Sequence, residues 1–168
     1  VATSIVNEQQ RLFLAQARSN FEVYRLLASQ EKIPESHSLH YLQMVGEMLG
    51  KAYFWTNGPN FTSHRAFASF HRALALSRSI QRRLGFQGKN AAWESLIREG
   101  SALAETVENL APSLTDGPNP EYPWPRDHPL QAPCEYQFEI WTTLRQTPRG
   151  RGFLALLDRL LESADSWL

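Results

Sequence analysis

His64, His71 and Arg78 recur every seven residues, which on a helix sets them along one stripe, and Arg72 and Arg82 flank it. Cations so arranged can follow a phosphate backbone, because each contact releases condensed counterions. A solvated helix face has the same pattern, and the two readings stand side by side. Arginine outnumbers lysine fourteen to three, and a guanidinium fork matches phosphate oxygens two at a time. A second polar stripe lies nearer the start of the chain. Glu47 and Lys51 stand one turn apart in the order that favours an ion pair, on a segment whose Leu42, Val45, Leu49 and Ala52 recur at helical spacing. His37 and His40 share a face at the head of that segment; no third ligand stands at a suggestive spacing, so capping or core-edge roles are expected and no metal. No Gly-rich phosphate loop, cysteine pair, His-Glu zinc helix or Gly-x-Ser-x-Gly elbow occurs, and no cofactor is expected.

The small apolar helix carrying Glu47 and then Lys51-Ala52, preceded by histidine and followed after a short loop by Thr62-Ser63-His64, resembles the core of the HEPN domain, the nucleotide-binding domain of higher eukaryotes and prokaryotes. The family usually has Glu-Lys where this chain has Glu47-Met48, and often His-Asp-Leu where it has His64-Arg65-Ala66. The resemblance implies a helical domain that binds or acts on RNA or a nucleotide in a bacterial stress, toxin-antitoxin or defence setting. A homodimer and an antitoxin or nucleotidyltransferase partner come with it. It also implies metal-independent ribonuclease chemistry, in which Arg65 stabilises the phosphorane charge and His71 exchanges protons with the attacking or leaving oxygen. On a regular helix those two side chains point ~120° apart, so one site needs an irregular helix or a dimer mate. Ala66 also occupies a position that catalytic members usually give to a polar residue. The alternative is a non-catalytic dimerisation or protein-interaction module; a small-molecule pocket lined by Tyr41, Trp55 and Trp124 is a third reading.

These residues depend on helices whose ends the sequence marks. A first helix is predicted from Ser4 or Asn7 to about Ser29, with Phe13, Ala17, Phe21, Tyr24 and Ala28 as its buried stripe. Pro34 ends that element and Ser36 caps a second helix reaching about Trp55. After the turn at 56–60, Thr62 or Ser63 caps a third helix running to Gly85, and a fourth runs from the break at 88–90 to just before Pro112. Seven prolines between Pro112 and Pro133 nearly exclude regular structure, leaving a long loop over 112–134 centred on Tyr122 and Trp124. Those two aromatics either clamp the loop to the helices or join a contact surface. The segment 135–145 fits both a strand and a helical turn. Thr147-Pro148 then caps a last helix with Phe153, Leu156, Leu157, Leu160 and Leu161 inside. The expected fold is all-α, a five-helix up-and-down bundle with a long Pro-rich loop before the last helix.

A chain of 168 residues is predicted to form a single domain over 1–168. No apolar run approaches bilayer-spanning length, and Cys134 alone cannot form an internal disulfide, so a soluble, cytoplasmic protein without membrane contact is the expectation. The formal net charge is zero, yet no Asp or Glu occurs between Met48 and Trp93, and nine acids face two arginines from Glu94 to Glu139. Such asymmetry fits a basic face for phosphates, and equally a basic helix docked beside an acidic one.

Overall fold

A computed structural model describes residues 8–55, 65–125 and 130–167. The described residues form seven α-helices and two 3-10 turns, with no strand among them. The helices are α1 (Glu8–Ala28), α2 (Glu35–Phe54), α3 (Ala66–Leu74), α4 (Arg78–Arg83), α5 (Asn90–Glu108), α6 (Glu139–Gln146) and α7 (Pro148–Ser163). The all-helical expectation holds; the count of five does not. The predicted third helix is two helices, and the ambiguous segment 135–145 becomes a helix from Glu139 onward.

α1 presents Leu14, Ala17, Phe21 and Tyr24, three or four residues apart, to α2. α2 buries twelve of its twenty residues, because α1, α3 and α5 all pack on it. Its Ser36 is buried inside the first turn and does not cap, since Pro34 holds the cap position. Glu35 instead reaches across the fold, its carboxylate accepting the Phe138 backbone N–H. Gly46 and Gly50, one turn apart, bring α3 against α2: a Cβ on Gly46 would lie 2.3 Å from the Phe67 ring, and one on Gly50 2.5 Å from the Ala66 carbonyl oxygen.

The third helix breaks at 75–77 although neither glycine nor proline stands there. Ser77 takes an extended conformation and its hydroxyl accepts the Ile80 N–H at 3.4 Å, starting α4 afresh. The new start rotates Ile80 and Leu84 into the core beside Leu74 and leaves Leu76 outside, 86% exposed. α4 ends on Gly85 at φ +75°, with Phe86 N–H donating to Gln81 O at 2.9 Å and Gly85 N–H to Arg82 O at 3.0 Å, a Schellman cap. α5 then packs on α3, and Glu108 near its end accepts the Ala68 N–H at 3.1 Å, capping α3 from a neighbouring helix.

α6 forms because Ile140 and Leu144, four apart, bury on one side. Thr147 joins it to α7: its hydroxyl donates to Thr143 O at 2.7 Å and accepts the Gly150 N–H at 3.0 Å. Within the long loop, Trp124 is buried and exchanges two backbone hydrogen bonds of 3.1 Å with Gln131, while its ring meets Tyr136 edge-on at 5.2 Å. Trp124 therefore clamps the loop, whereas Tyr122 stays 61% exposed. No helix among the described residues is long and apolar enough to cross a membrane.

Candidate functional site

The break before α4 decides the fate of the predicted basic stripe. On one straight helix His71 and Arg78 would share a face; with the chain restarted at Ser77, His71 is wholly buried and Arg78 is exposed. His64 lies outside the described residues. Arg72 is exposed at the end of α3, and Arg78 and Arg82, one turn apart on α4, line a surface pocket of about 220 Å³ with Gln81, Gln87, Gly88 and Asn90.

That pocket is held by a small polar network. Arg78 Nη1 donates to Gln81 Oε1 and to Asn90 Oδ1, both at 3.1 Å, while Gln81 Nε2 donates to Asn90 Oδ1 at 2.8 Å and to Phe86 O at 3.2 Å. Gln81 is buried, so the network ties the guanidinium to the core. One arm of the fork is thus anchored, and the residue lines the pocket. Asn90 opens α5, whose cap residue Lys89 makes no side-chain cap and whose first turn carries no acid. A helix start of this kind carries partial positive charge and free N–H groups. No ion pair joins Arg72, Arg82, Arg83 or Lys89 to an acid among the described residues. On the acidic side, Glu108 of α5 caps α3 by accepting a backbone N–H, and on the basic side the α4 residues Arg78 and Arg82 line the pocket.

The other two predicted residues are not brought to one place. Arg65 is exposed at the cap position of α3. His71 lies inside, its ring 5.7 Å from that of Phe153, with Nε2 against Gly100 so closely that a Cβ there would sit 2.5 Å away. Ser101 Oγ donates to Ile97 O at 2.8 Å and sits 3.1 Å from His71 Nδ1. With that hydroxyl proton committed, Nδ1–H is the donor and Nε2 the bare nitrogen, which has no partner among the described residues. Burial, reinforced by the nearby Arg72 charge, pushes the His71 pKa down to about 4. A neutral, enclosed imidazole has no open path to a substrate oxygen in this arrangement.

Glu47 and Lys51 form an ion pair on α2, with side chains mostly withdrawn from solvent. His37 is exposed and His40 Nδ1 lies 3.4 Å from Glu121 Oε1; among the described residues no group of three His, Cys, Asp or Glu can hold a metal ion. Tyr41 packs on His40, Trp55 on Phe13 and Trp124 on Tyr136, each ring against a different partner. Gln81 and Asn90 are the residues that sequence reasoning missed. Their signal is faint: a glutamine one turn after Arg78, and an asparagine at a helix start. No family model matches the chain, and no curated protein or solved structure matches it at a significant level.

Proposed function

We propose that this chain is a HEPN-like helical domain that binds RNA or a nucleotide through its phosphates and does not cleave it with His71. The observation that carries the reading is Arg78, anchored on Gln81 and Asn90 beside Arg82 at the acid-free start of α5. An anchored guanidinium loses little freedom on meeting a phosphate, and the helix start adds N–H donors of the same sign. The bacterial stress, toxin-antitoxin or defence setting, the homodimer and the antitoxin or nucleotidyltransferase partner rest on the resemblance to that family alone. An up-and-down arrangement of the helices rests on their mostly short connections together with that resemblance.

Fluorescence anisotropy with labelled single-stranded RNA over a salt series tests the binding. Arg78→Ala with Arg82→Ala is expected to weaken affinity about tenfold and to lower the slope of log affinity against log salt by roughly 1.4, at ~0.7 per lost phosphate contact. An unchanged slope would remove these arginines from the interface. A second assay addresses chemistry: labelled RNA kept with the protein in excess chelator is expected to stay intact. Cleavage that disappears in His71→Ala, with the fold preserved by circular dichroism, would restore the ribonuclease reading.

A further inference from the structure

Leu12 is 58% exposed and Leu26 62%, and both stand on α1. That helix packs chiefly on α2, through Leu14, Ala17, Phe21 and Tyr24. On its opposite side Leu12, Ala15, Ser19, Val23 and Leu26 recur three or four residues apart, within ~80° of one another at ~100° per residue. Val23 is half-buried and the other four are exposed. Such spacing over two heptads is that of a seam between helices, which scattered apolar surface residues do not keep. Its large residues stand toward the ends and its small ones, Ala15 and Ser19, in the middle, where a second helix can approach closely.

The charges beside the strip indicate which helix that is. Arg11 and Glu22, both exposed, lie on the same flank, ~60–80° from the centre of the strip. Farther round that flank, Arg18 and Arg25 are engaged inside the chain by Asp165 and Asp158. When two copies of one helix pack antiparallel, like flanks meet head to tail, and a contact from one residue to another is returned by symmetry. Arg11 of each copy then stands beside the partner's Glu22, which gives two ion pairs. In the same register Leu12 faces the partner's Val23, Ala15 faces the partner's Ser19, and Leu26 reaches the first turn of the partner's α1. A parallel pair instead joins opposite flanks. The other flank carries Gln9, Gln16 and Leu27, so Arg11 and Glu22 meet no opposite charge there.

We infer that the outer face of α1 is a self-association surface whose occupant is α1 of a second copy, packed antiparallel about a twofold axis that passes between Ala15 and Ser19. A helix of 21 residues is ~31 Å long and ~10 Å across, so the contact buries on the order of 1,000 Å² over both copies. That is the low end of specific interfaces, and the dimer is a reversible one with Kd in the micromolar range. The homodimer implied by the family resemblance carries no surface with it; this contact rests on α1 alone and is independent of the phosphate site.

Sedimentation equilibrium of the full chain from about 1 to about 300 µM is expected to show a reversible monomer–dimer equilibrium. Leu12→Asp is expected to weaken it about tenfold. Arg11→Glu and Glu22→Arg each set like charges together twice and are expected to weaken it about tenfold as well, with helicity by circular dichroism unchanged. Mixed in equal amounts, those two charge variants are expected to recover wild-type association, because every glutamate of one copy then meets an arginine of the other. A monomer across the whole range would overturn the assignment, as would a mixture that associates no more tightly than its components. A dimer that survives Leu12→Asp and both charge changes undiminished would keep a homodimer and remove α1 from its interface.

Discussion

Gly50→Ala is expected to lower the unfolding free energy by about 2 kcal/mol, although alanine is the better helix former by ~1 kcal/mol. The added methyl would sit 2.5 Å from the Ala66 carbonyl oxygen and 2.6 Å from its carbon. These are backbone atoms at the start of α3, so no side-chain rotation clears them; α3 itself must move off α2. Overpacking a close-packed interface costs ~1–3 kcal/mol, and displacement of a whole helix start belongs at the upper end before the propensity gain is subtracted. Gly46→Ala meets the fully buried Phe67 ring at 2.3 Å and should behave alike. Gly152→Ala on α7 is the matched control, since its methyl would meet only Leu96 Cδ1 at an ordinary 3.7 Å. There the propensity gain acts alone and stability should rise by roughly 0.5–1 kcal/mol. Urea unfolding of the three variants reads all of this. Equal effects at Gly50 and Gly152 would mean that α2 and α3 do not approach as described.

The contrast between α2 and α4 shows what was legible in the sequence. α1, α2, α5 and α7 carry apolar stripes of helical period over sixteen residues or more, and Thr147-Pro148 marks a start that the Thr147 hydroxyl then caps. Periodicity over such lengths outweighs local ambiguity. The break at 75–77 has no such mark. Ser77 competes with helix continuation for about 1 kcal/mol of capping energy, and what tips the balance is the burial of Ile80 and Leu84 against residues remote in sequence. α6 is eight residues long, short enough for either period. The same division runs through the site. Charge and spacing single out Arg78 and Arg82, and Glu47 with Lys51 is readable as a pair four apart. That Gln81 and Asn90 anchor Arg78 is tertiary information, as is the opposite placement of Tyr122 and Trp124, two aromatics only two positions apart.

His71 is expected to make the protein acid-labile, by about 3 kcal/mol between pH 6.5 and pH 4. The folded state holds the imidazole down to about 4 against an ordinary value of 6.5, because burial penalises the cation and Arg72 repels it. Within that window the unfolded chain binds a proton that the folded one refuses. Stability therefore rises with pH there, is complete above about 6.5, and is lost as pH falls toward 4, with a slope approaching ~1.4 kcal/mol per pH unit. The side chain is fully enclosed, so solvent screening does not reduce the effect. His71→Leu removes the titrating group and the unpaired Nε2 while forgoing the bond to Ser101, and its unfolding free energy should lose the His71 share of the acid slope. Carboxylates titrate in both proteins, so the wild-type minus variant difference isolates the imidazole. Chemical denaturation at several pH values supplies that difference, which should grow by about 3 kcal/mol across the window. A flat difference would mean that His71 takes up its proton in the folded state near the ordinary value. An imidazole able to do that has solvent access and a usable proton, and the case for placing it with Arg65 in a cleavage site would then reopen.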